Sequence, residues 1–470
     1  MGAGKALYAA SGKQGCWPSS LMPANIKRLR LPDLILNRRG TITFKIILAI
    51  FGVALKLFFR RIETVNAESV PTGTGVIFVL NHPNGLVDPA LVFVALPRRI
   101  SFLAKSTLFR MPVISFLLKT VEALPVYRRL DAGEDVSKNQ ETFRAAQERL
   151  RKGGSIALFP EGVSHNSPKL LPMKTGAARI ALGAVSVGEG LDLRIVPVGL
   201  YYTSKTTFRS EALLHFGEAF QVAPVELEDG QPPRTAVKEL TEKIESALRE
   251  VTLNAETEAE LQTAAIAEKI FAAASEEGAF LGEKLEFKKR YVGEGSTPAL
   301  ERKLHVLDSK LSDFGIGPEQ LSLANLDRSF VIRQAIFQTW ALIMLLPLTI
   351  FGTILHFPAY QLTKMTAYLF SRHGADDIAS TVKVLAGMVF FPLTWLIAGA
   401  VLYFLSGWQM ALTSIPFSFV AGYIALYSWE EGTEMSGWGM AIWRFLTQKE
   451  KFLRLYVERK ELFNSLSELG

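Results

Sequence analysis

The longest uncharged stretch, residues 384–429, is the sequence feature that most constrains the fold. A water-soluble core seldom stays uncharged for so long, and about 20 apolar residues suffice for a helix to cross a bilayer. The letters "SGWQ" at 406–409 interrupt the stretch and predict a hairpin of two helices. A second uncharged stretch, 335–355, also has the length of a span. We therefore predict a transmembrane region over 331–430, with three spans or with two spans and a re-entrant segment.

The remaining composition excludes several other classes of protein. The chain has 470 residues, enough for two or three domains, with 52 basic and 45 acidic residues. This mild positive charge gives no reason to expect a nucleic-acid partner. The only cysteine, Cys16, rules out an internal disulfide framework and has no neighbouring histidine or cysteine. We therefore expect no metal site and no cofactor.

Residues 1–40 and 41–62 are two N-terminal segments of different character. Residues 1–40 are basic and lack the apolar core of a signal peptide, so we expect disorder. A transit peptide, a lipid-binding arm and a true start at Met22 remain alternatives. Residues 41–62 are apolar, but Lys45 and Lys56 leave too short an uncharged stretch for a span. We favour a helix in the membrane interface over a span or a buried core helix.

Residues 63–225 alternate between strand-like and helix-like patterns. Apolar, β-branched runs predict strands at 75–80, 100–104, 123–127, 155–159 and 194–200. Helical patterns lie between them near 89–96, 109–120, 138–151 and 175–187. This order predicts an α/β domain with a largely parallel sheet and flanking helices, which binds ligands at the carboxyl ends of its strands. Residues 226–330 read as helical, and residues 431–470 read as an amphipathic C-terminal tail.

The stretch "VIFVLNHPNGLVDPALVF", residues 76–93, places a histidine and an aspartate where a strand joins a helix. The pair Asn84-Gly85 favours a turn, and Asp88 followed by proline is typical of a helix N-cap. These features explain the stretch as a strand, a turn and a helix start. They do not explain His82, because a turn does not require an imidazole.

Other chemically capable residues follow the remaining predicted strands. "FPEG" at 159–162 ends a strand in a loop whose carboxylate and backbone N–H groups can face a substrate. Lys174 precedes a helix start, which is another favourable place for an anion. Lys105 and Arg128 follow two further strands, and arginine matches the geometry of a phosphate. Any one of these groups alone could be an ordinary surface charge.

Four ordered motifs together resemble the glycerolipid acyltransferase family. They are Asn81-His82 with Asp88, then Arg128, then Phe159-Pro160-Glu161-Gly162, then Val196-Pro197-Val198-Gly199. Five residues separate His82 from Asp88 where the family usually has four, and this spacing is most similar to the fungal-type glycerol 3-phosphate/dihydroxyacetone phosphate acyltransferases and their bacterial relatives. The second motif departs from the family's glycine pattern, which leaves both Arg128 and Arg129 as candidates.

The resemblance implies a mechanism and a set of site residues. His82 would be the general base and Asp88 would orient its ring. The substrate-binding residues would be Lys105, Arg128, Pro160, Glu161, Gly162 and Lys174. The expected partners are acyl-CoA or acyl-carrier protein as acyl donor, glycerol 3-phosphate as acceptor, and the lipid bilayer. The catalytic domain is expected on the cytosolic face, where thioester donors are made.

Other functions remain open at this stage. The acceptor could be 1-acylglycerol 3-phosphate or another lysophospholipid, because the same cations would bind its phosphate. A non-catalytic membrane protein that binds or transports lipid is an alternative from another class, although the long hydrophobic segments lack the charges of many transport paths. An esterase is disfavoured because the chain has no G-x-S-x-G nucleophile elbow.

Overall fold

The computed structural model describes residues 25–35, 40–96, 98–128, 131, 133–187, 190–273, 280–294, 297–325, 328–371 and 376–468. The chain divides into two compact units. The sheet unit contains Pro23–Glu256 and His373–Val384, and the helical unit contains Thr257–Arg372 and Leu385–Gly470.

A mixed nine-stranded sheet forms the centre of the sheet unit within the described residues. The strands are β1 Ile26–Arg28, β2 Phe59–Val65, β3 Gly75–Leu80, β4 Ser101–Lys105, β5 Leu124–Val126, β6 Ser155–Leu158, β7 Leu193–Tyr202, β8 Ser210–Phe216 and β9 Phe220–Gln221. Their spatial order is β1-β2-β8-β7-β3-β6-β4-β5, with β9 paired to β7. The β2–β8, β7–β3, β3–β6, β6–β4 and β4–β5 pairs are parallel, which confirms the predicted largely parallel sheet.

Seven α-helices lie wholly within the described part of the sheet unit. They are α1 Leu31–Ile35, α2 Ile42–Phe58, α3 Val87–Ala95, α4 Pro112–Thr120, α5 Asn139–Arg151, α6 Gly176–Val185 and α7 Arg234–Val251. Short 3-10 turns lie at Ala67–Ser69, Ser106–Arg110 and Val136–Lys138. Helix α6 is rich in alanine and almost wholly buried, because its small side chains allow it to lie close against β3 and β7. Strand β3 is central and buried along its whole length, so the residue that follows it is held on a rigid support.

The N-terminal part of the chain differs from its prediction. Disorder was expected for residues 1–40, and this is wrong for residues 25–35, because β1 pairs antiparallel with β2 and α1 follows it. Residues 1–24 and 36–39 lie outside the described residues. The boundary predicted at residue 63 also falls too late, since β2 begins at Phe59 as part of the sheet.

Helix α2, predicted as an interface helix, has one buried and one exposed apolar face. Phe44, Leu48 and Leu55 are buried in the sheet unit, whereas Ile42 and Ile46 are exposed. The amine of Lys56 donates to the Leu29 carbonyl at 3.2 Å. Burial lowers the pKa of Lys56, and the nearby charge of Arg209 lowers it further. The second apolar face is available to a membrane surface, and that location stays a prediction.

The described part of the helical unit contains α8 Glu258–Ala272, α9 Leu281–Glu294, α10 Pro298–Phe314, α11 Arg328–Ser371, α13 Trp408–Thr447 and α14 Lys449–Ser467, with a 3-10 turn at Pro318–Asn325. Helix α12, Asp376–Ser406, begins in the sheet unit and continues into this one. Phe271, Phe314 and Phe452 belong to one buried cluster, so the C-terminal tail packs its apolar side instead of lying free.

Three helices are long and apolar enough to cross a membrane in the described parts of the chain: Ile336–Phe370, Ser380–Ser406 and Trp408–Thr447. The predicted break in the hairpin is confirmed at Gly407, which has a φ of 88° between two helices. A β-carbon at Gly352 would lie 2.2 Å from the Ala421 carbonyl oxygen, so glycine is what permits α11 and α13 to approach closely. These helices fit a membrane protein.

Candidate active site

The candidate site begins where β3 ends. The amide of Asn81 donates to the Leu200 carbonyl at 3.1 Å and accepts from the Leu200 N–H at 2.7 Å. This side chain therefore continues the ladder between β3 and β7 by one further step. The following residue, His82, leaves the sheet from a fixed point at the carboxyl end of a central strand.

His82 and Asp88 form the predicted pair. Nδ1 of His82 lies 2.8 Å from Oδ2 of Asp88, although one more residue separates them than in the usual family spacing. The N-cap prediction for Asp88 is wrong, because α3 already begins at Val87 and its N-cap, Leu86, makes no side-chain bond. The Asp88 carboxylate is instead turned back toward the loop that precedes the helix.

Two further donors hold the buried Asp88 carboxylate. The Asn84 N–H donates to Oδ2 at 2.7 Å, and the Tyr202 hydroxyl donates to Oδ1 at 2.6 Å. Burial and the neighbouring Asp88 charge raise the pKa of Tyr202 well above its usual value, which keeps its proton in place. The sequence analysis missed Tyr202, which lies at the end of β7, more than a hundred residues from Asp88 along the chain.

The tautomer of His82 follows from these contacts. An ionised Asp88 can only accept, so the His82 Nδ1 carries the proton and Nε2 presents a lone pair. Nε2 has no hydrogen-bond partner among the described residues, and 17% of the side chain is exposed. The ring stacks on Phe159 with centroids 4.1 Å apart, which fixes its plane. The arrangement leaves the Nε2 lone pair able to accept a proton.

Glu161 is buried, and its carboxylate is fully engaged within the protein. Oε1 accepts the His82 N–H at 3.0 Å, and Oε2 accepts the Leu171 N–H at 2.9 Å. Oε2 also contacts Nε2 of His165, whose Nδ1 accepts the Ser167 N–H at 3.1 Å. His165 also donates its own N–H to the His82 carbonyl at 3.2 Å. Glu161 and His165 therefore fix the backbone of His82, and the sequence analysis had not singled out His165.

Lys105, Arg128 and Asp131 form a partly exposed cluster beside this buried network. Arg128 Nε donates to Asp131 at 3.0 Å, and Lys105 Nζ lies 2.9 Å from the same carboxylate. The hydrogen bond from Arg128, helped by Lys105, holds the pKa of Asp131 below its usual value. Arg128 Nη1 donates to the Gly162 carbonyl at 2.8 Å, so the cluster is tied to the residue after Glu161. Arg129, the other candidate for this motif, lies outside the described residues.

Pro160, Gly162 and Lys174 complete the predicted set. The Pro160 carbonyl accepts the Lys174 N–H at 2.7 Å, which closes the loop between β6 and α6. Gly162 has a φ of 76°, a backbone conformation that favours glycine. The Lys174 Cγ would lie 3.5 Å from a β-carbon at Gly162, which places the exposed Lys174 stem over this glycine.

The first turns of α12 support the loop between His82 and Asp88 within the sheet unit. Thr381 Oγ1 accepts the Leu86 N–H at 3.0 Å. The Ser380 hydroxyl donates to the Lys205 carbonyl, which also accepts from the Asn84 side chain at 3.2 Å. The loop between His82 and Asp88 is therefore held from the helix side as well as from the sheet side. These contacts join residues 295 and 175 positions apart along the chain and had no signal in the sequence.

The site as a whole joins the His82–Asp88 pair to a set of cations. Within the described residues, no cluster of histidine, cysteine and carboxylate side chains could hold a metal ion. The peptide from Glu161 to Gly162 links the two parts, since Glu161 holds the His82 N–H and Gly162 holds Arg128. Such an arrangement can accept a proton at one end and bind an anion at the other.

Comparisons with known proteins identify the family that this part of the chain resembles. Residues 61–201 match the family model described as Acyltransferase. Glycerol-3-phosphate O-acyltransferase 2 of Saccharomyces cerevisiae is 38% identical over 144 residues, covering 29% of this chain and 18% of that protein. The chloroplastic 1-acyl-sn-glycerol-3-phosphate acyltransferase BAT2 of Brassica napus is 27% identical over 162 residues, covering 34% of this chain and 43% of that protein.

Among solved structures, the 1-acyl-sn-glycerophosphate acyltransferase of Thermotoga maritima is similar at 19% identity, with a TM-score of 0.32 over 47% of this chain and 83% of that one. The chain spans less than half of the length of the curated yeast relatives that it matches. The resemblance drawn from the four motifs is confirmed by the family match at residues 61–201.

Proposed function

We propose, starting from the acyltransferase domain at residues 61–201, that the protein moves a fatty acyl group from a thioester donor to glycerol 3-phosphate in phospholipid synthesis. One observation carries this proposal. The His82 Nε2 has no hydrogen-bond partner among the described residues, while Nδ1 is bonded to Asp88. The peptide unit Glu161–Gly162 contacts both His82, through the Glu161 carboxylate, and Arg128, through the Gly162 carbonyl.

The chemistry requires one proton transfer and one exchange of bonds. Nε2 of His82 takes the proton from the acceptor hydroxyl as its oxygen attacks the thioester carbonyl. The new O–C bond forms, the C–S bond breaks, and the proton passes to the departing thiolate. Asp88 stabilises the imidazolium that exists between these two steps. No covalent acyl-enzyme is required, and the donor is acyl-CoA or acyl-carrier protein.

The cations bind and orient the acceptor. Arg128, Lys105 and Lys174 would bind the phosphate, because guanidinium and ammonium groups make charge-assisted hydrogen bonds with phosphate oxygens. Holding the phosphate there places the hydroxyl near His82, and such positioning supplies a large part of a two-substrate rate enhancement. Glu161, Pro160 and Gly162 contribute by shaping the loop between the two ends.

The product is a membrane lipid, which agrees with three candidate spans in the same chain. We place the catalytic domain on the cytosolic face, where thioester donors are available, and the protein at the bilayer that receives its product. The exposed isoleucines of α2 would lie against the lipid headgroups.

A second candidate acceptor is 1-acylglycerol 3-phosphate. The relative from Brassica napus is named for that acceptor, and the same cations suit its phosphate. The base and the direction of acyl transfer would be unchanged, and the enzyme would act one acylation later.

The test uses membranes that carry the wild-type chain, the His82→Ala variant or the His305→Ala variant. His305 contacts Thr263 in the helical unit and serves as the matched histidine control. Labelled acyl-CoA is supplied with either glycerol 3-phosphate or 1-acylglycerol 3-phosphate. We expect labelled lysophosphatidate from the wild type and the His305 variant, and a loss of about 100-fold or more without His82.

Two other outcomes lead to different functions. If product forms only from 1-acylglycerol 3-phosphate and still depends on His82, then 1-acylglycerol 3-phosphate, and not glycerol 3-phosphate, is the acceptor. Equal product from the His82→Ala membranes and the wild type would refute the catalytic proposal and favour a lipid-binding or transport role.

A further inference from the structure

Asp88 is held on both carboxylate oxygens, and the two oxygens face different partners. Oδ2 receives the His82 ring and the Asn84 N–H, whereas Oδ1 receives only the Tyr202 hydroxyl among the described hydrogen bonds. Without that hydroxyl, Oδ1 would be a buried anionic oxygen without a donor, and the carboxylate could rotate about its bond to Cβ. Rotation would move Oδ2 away from His82.

Tyr202 is itself rigidly placed. It is the last residue of β7, only 8% of the residue is exposed, and its ring stacks on Phe59 with centroids 5.6 Å apart. Its neighbour Tyr201 is less buried and points to the other face of the sheet, because side chains alternate along a strand. The hydroxyl of Tyr202 therefore reaches Asp88 from a direction that the sheet fixes.

We propose that Tyr202 is a positioning residue of the active site, which orients Asp88 and reduces the charge that Asp88 presents to His82. This inference rests on the proposed function of His82. A donor on Oδ1 draws negative charge away from Oδ2, so the imidazolium form of His82 is stabilised less than by an unshared carboxylate. Tyr202 thereby favours the neutral imidazole that the reaction requires, while it keeps Nδ1 and Oδ2 aligned.

Among the described residues, Glu161 is the other carboxylate that bonds to His82, and it does not supply this control. Glu161 accepts the backbone N–H of His82 and the ring of His165, and neither contact reaches the His82 imidazole. Tyr202 keeps its proton through the working pH range because burial and Asp88 raise its pKa. Its effect on Asp88 is therefore constant with pH.

Two changes are expected in Tyr202→Phe. The kcat falls about tenfold, which corresponds to about 1.4 kcal/mol, because Asp88 is no longer fixed. The acid limb of the kcat/KM profile also moves, because the bond between Asp88 and His82 changes when Oδ1 loses its donor. Tyr201→Phe is the matched control, and we expect it to change neither quantity.

A double-mutant cycle with Asp88→Asn separates positioning from packing. If Tyr202 acts through Asp88, adding Tyr202→Phe to Asp88→Asn lowers kcat little further. Full additivity, or a fall in kcat with an unmoved acid limb, would overturn the inference and leave Tyr202 as a packing residue. Unchanged activity in Tyr202→Phe would overturn it as well, while loss of activity in His82→Ala would still support the proposed function.

Discussion

The His82 end and the Arg128 end of the site are built in opposite ways. Asp88 and Glu161 are buried, and each carboxylate accepts three hydrogen bonds from fixed donors. At the other end, the side chains of Arg128 and Lys105 are 28% and 36% exposed, and Asp131 is their shared carboxylate. At the His82 end, hydrogen bonds within the protein fix the positions of the side chains. At the Arg128 end, the cations remain accessible to solvent.

This difference matches two different tasks. Proton transfer needs a base whose ring is held within a few tenths of an ångström of its working position, and buried hydrogen bonds provide that. Phosphate binding needs donors that can exchange water for an anion, and exposed cations can do so at small cost. Changes at the buried end should therefore affect kcat, and changes at the exposed end should affect the KM of the acceptor.

The largest effect is expected from Asp88→Asn. The amide oxygen can still accept at Oδ2, but the amide has no negative charge to stabilise the imidazolium, and its NH2 group cannot accept from the Tyr202 hydroxyl. We expect kcat to fall about 100-fold or more, with an acceptor KM within about twofold of the wild type. Steady-state kinetics with glycerol 3-phosphate measures both. A rise in KM with a normal kcat would place Asp88 in acceptor binding instead.

Arg128→Met should give the complementary result. Removal of a charged donor from a phosphate site costs about 1.5–3 kcal/mol, so we expect the acceptor KM to rise at least about tenfold. Arg144→Met is the matched control, because Arg144 is an exposed arginine on α5. If the two variants behave alike, Arg128 does not bind the acceptor.

Thr381→Val tests the support from α12. It removes the acceptor of the Leu86 N–H and should lower kcat about threefold, because a neutral hydrogen bond contributes roughly 0.5–1.5 kcal/mol. The acceptor KM should stay unchanged, and Thr381→Ser should restore kcat by keeping the hydroxyl. A serine variant as slow as the valine variant would indicate that packing, and not this hydrogen bond, holds the loop.

The smallest effect is expected from Lys174→Met. The exposed ammonium contributes a screened charge, so the acceptor KM should rise only about twofold. The rise should disappear at about 0.5 M salt, where the wild-type KM will have increased to a similar value. Kinetics at two salt concentrations measures this. A difference that persists at high salt would mean that Lys174 makes a direct, desolvated contact.

The sequence predicted the elements of the site better than the contacts that hold them. Every strand predicted between residues 75 and 200 is present, because each is a short apolar run between turn residues. Strand β2 was missed because Arg60 and Arg61 read as the polar end of a membrane-interface helix. In the structure, Glu63 is buried and paired with Arg28 and Arg61. These ion pairs offset the cost of burying a charged side chain in the sheet.

The missed site residues share another cause. Tyr202, His165 and Thr381 act through single hydrogen bonds to distant parts of the chain, and nothing in their neighbouring letters marks them. The carboxylate of Glu161 was predicted to face a substrate, but its environment is set by His82, Leu171 and His165 together. Motifs predict which residues carry the chemistry, whereas the folded chain decides which atoms remain free for it.

The separation of the two ends can be measured most directly with acceptors that differ only in the phosphate. The ratio of kcat/KM for glycerol 3-phosphate to that for glycerol reports phosphate recognition alone. We predict that Arg128→Met lowers this ratio at least about tenfold, while Asp88→Asn lowers both rates and leaves the ratio unchanged. An unchanged ratio in Arg128→Met, or an equal fall in both variants, would contradict the division of the site into a proton-transfer end and a phosphate end.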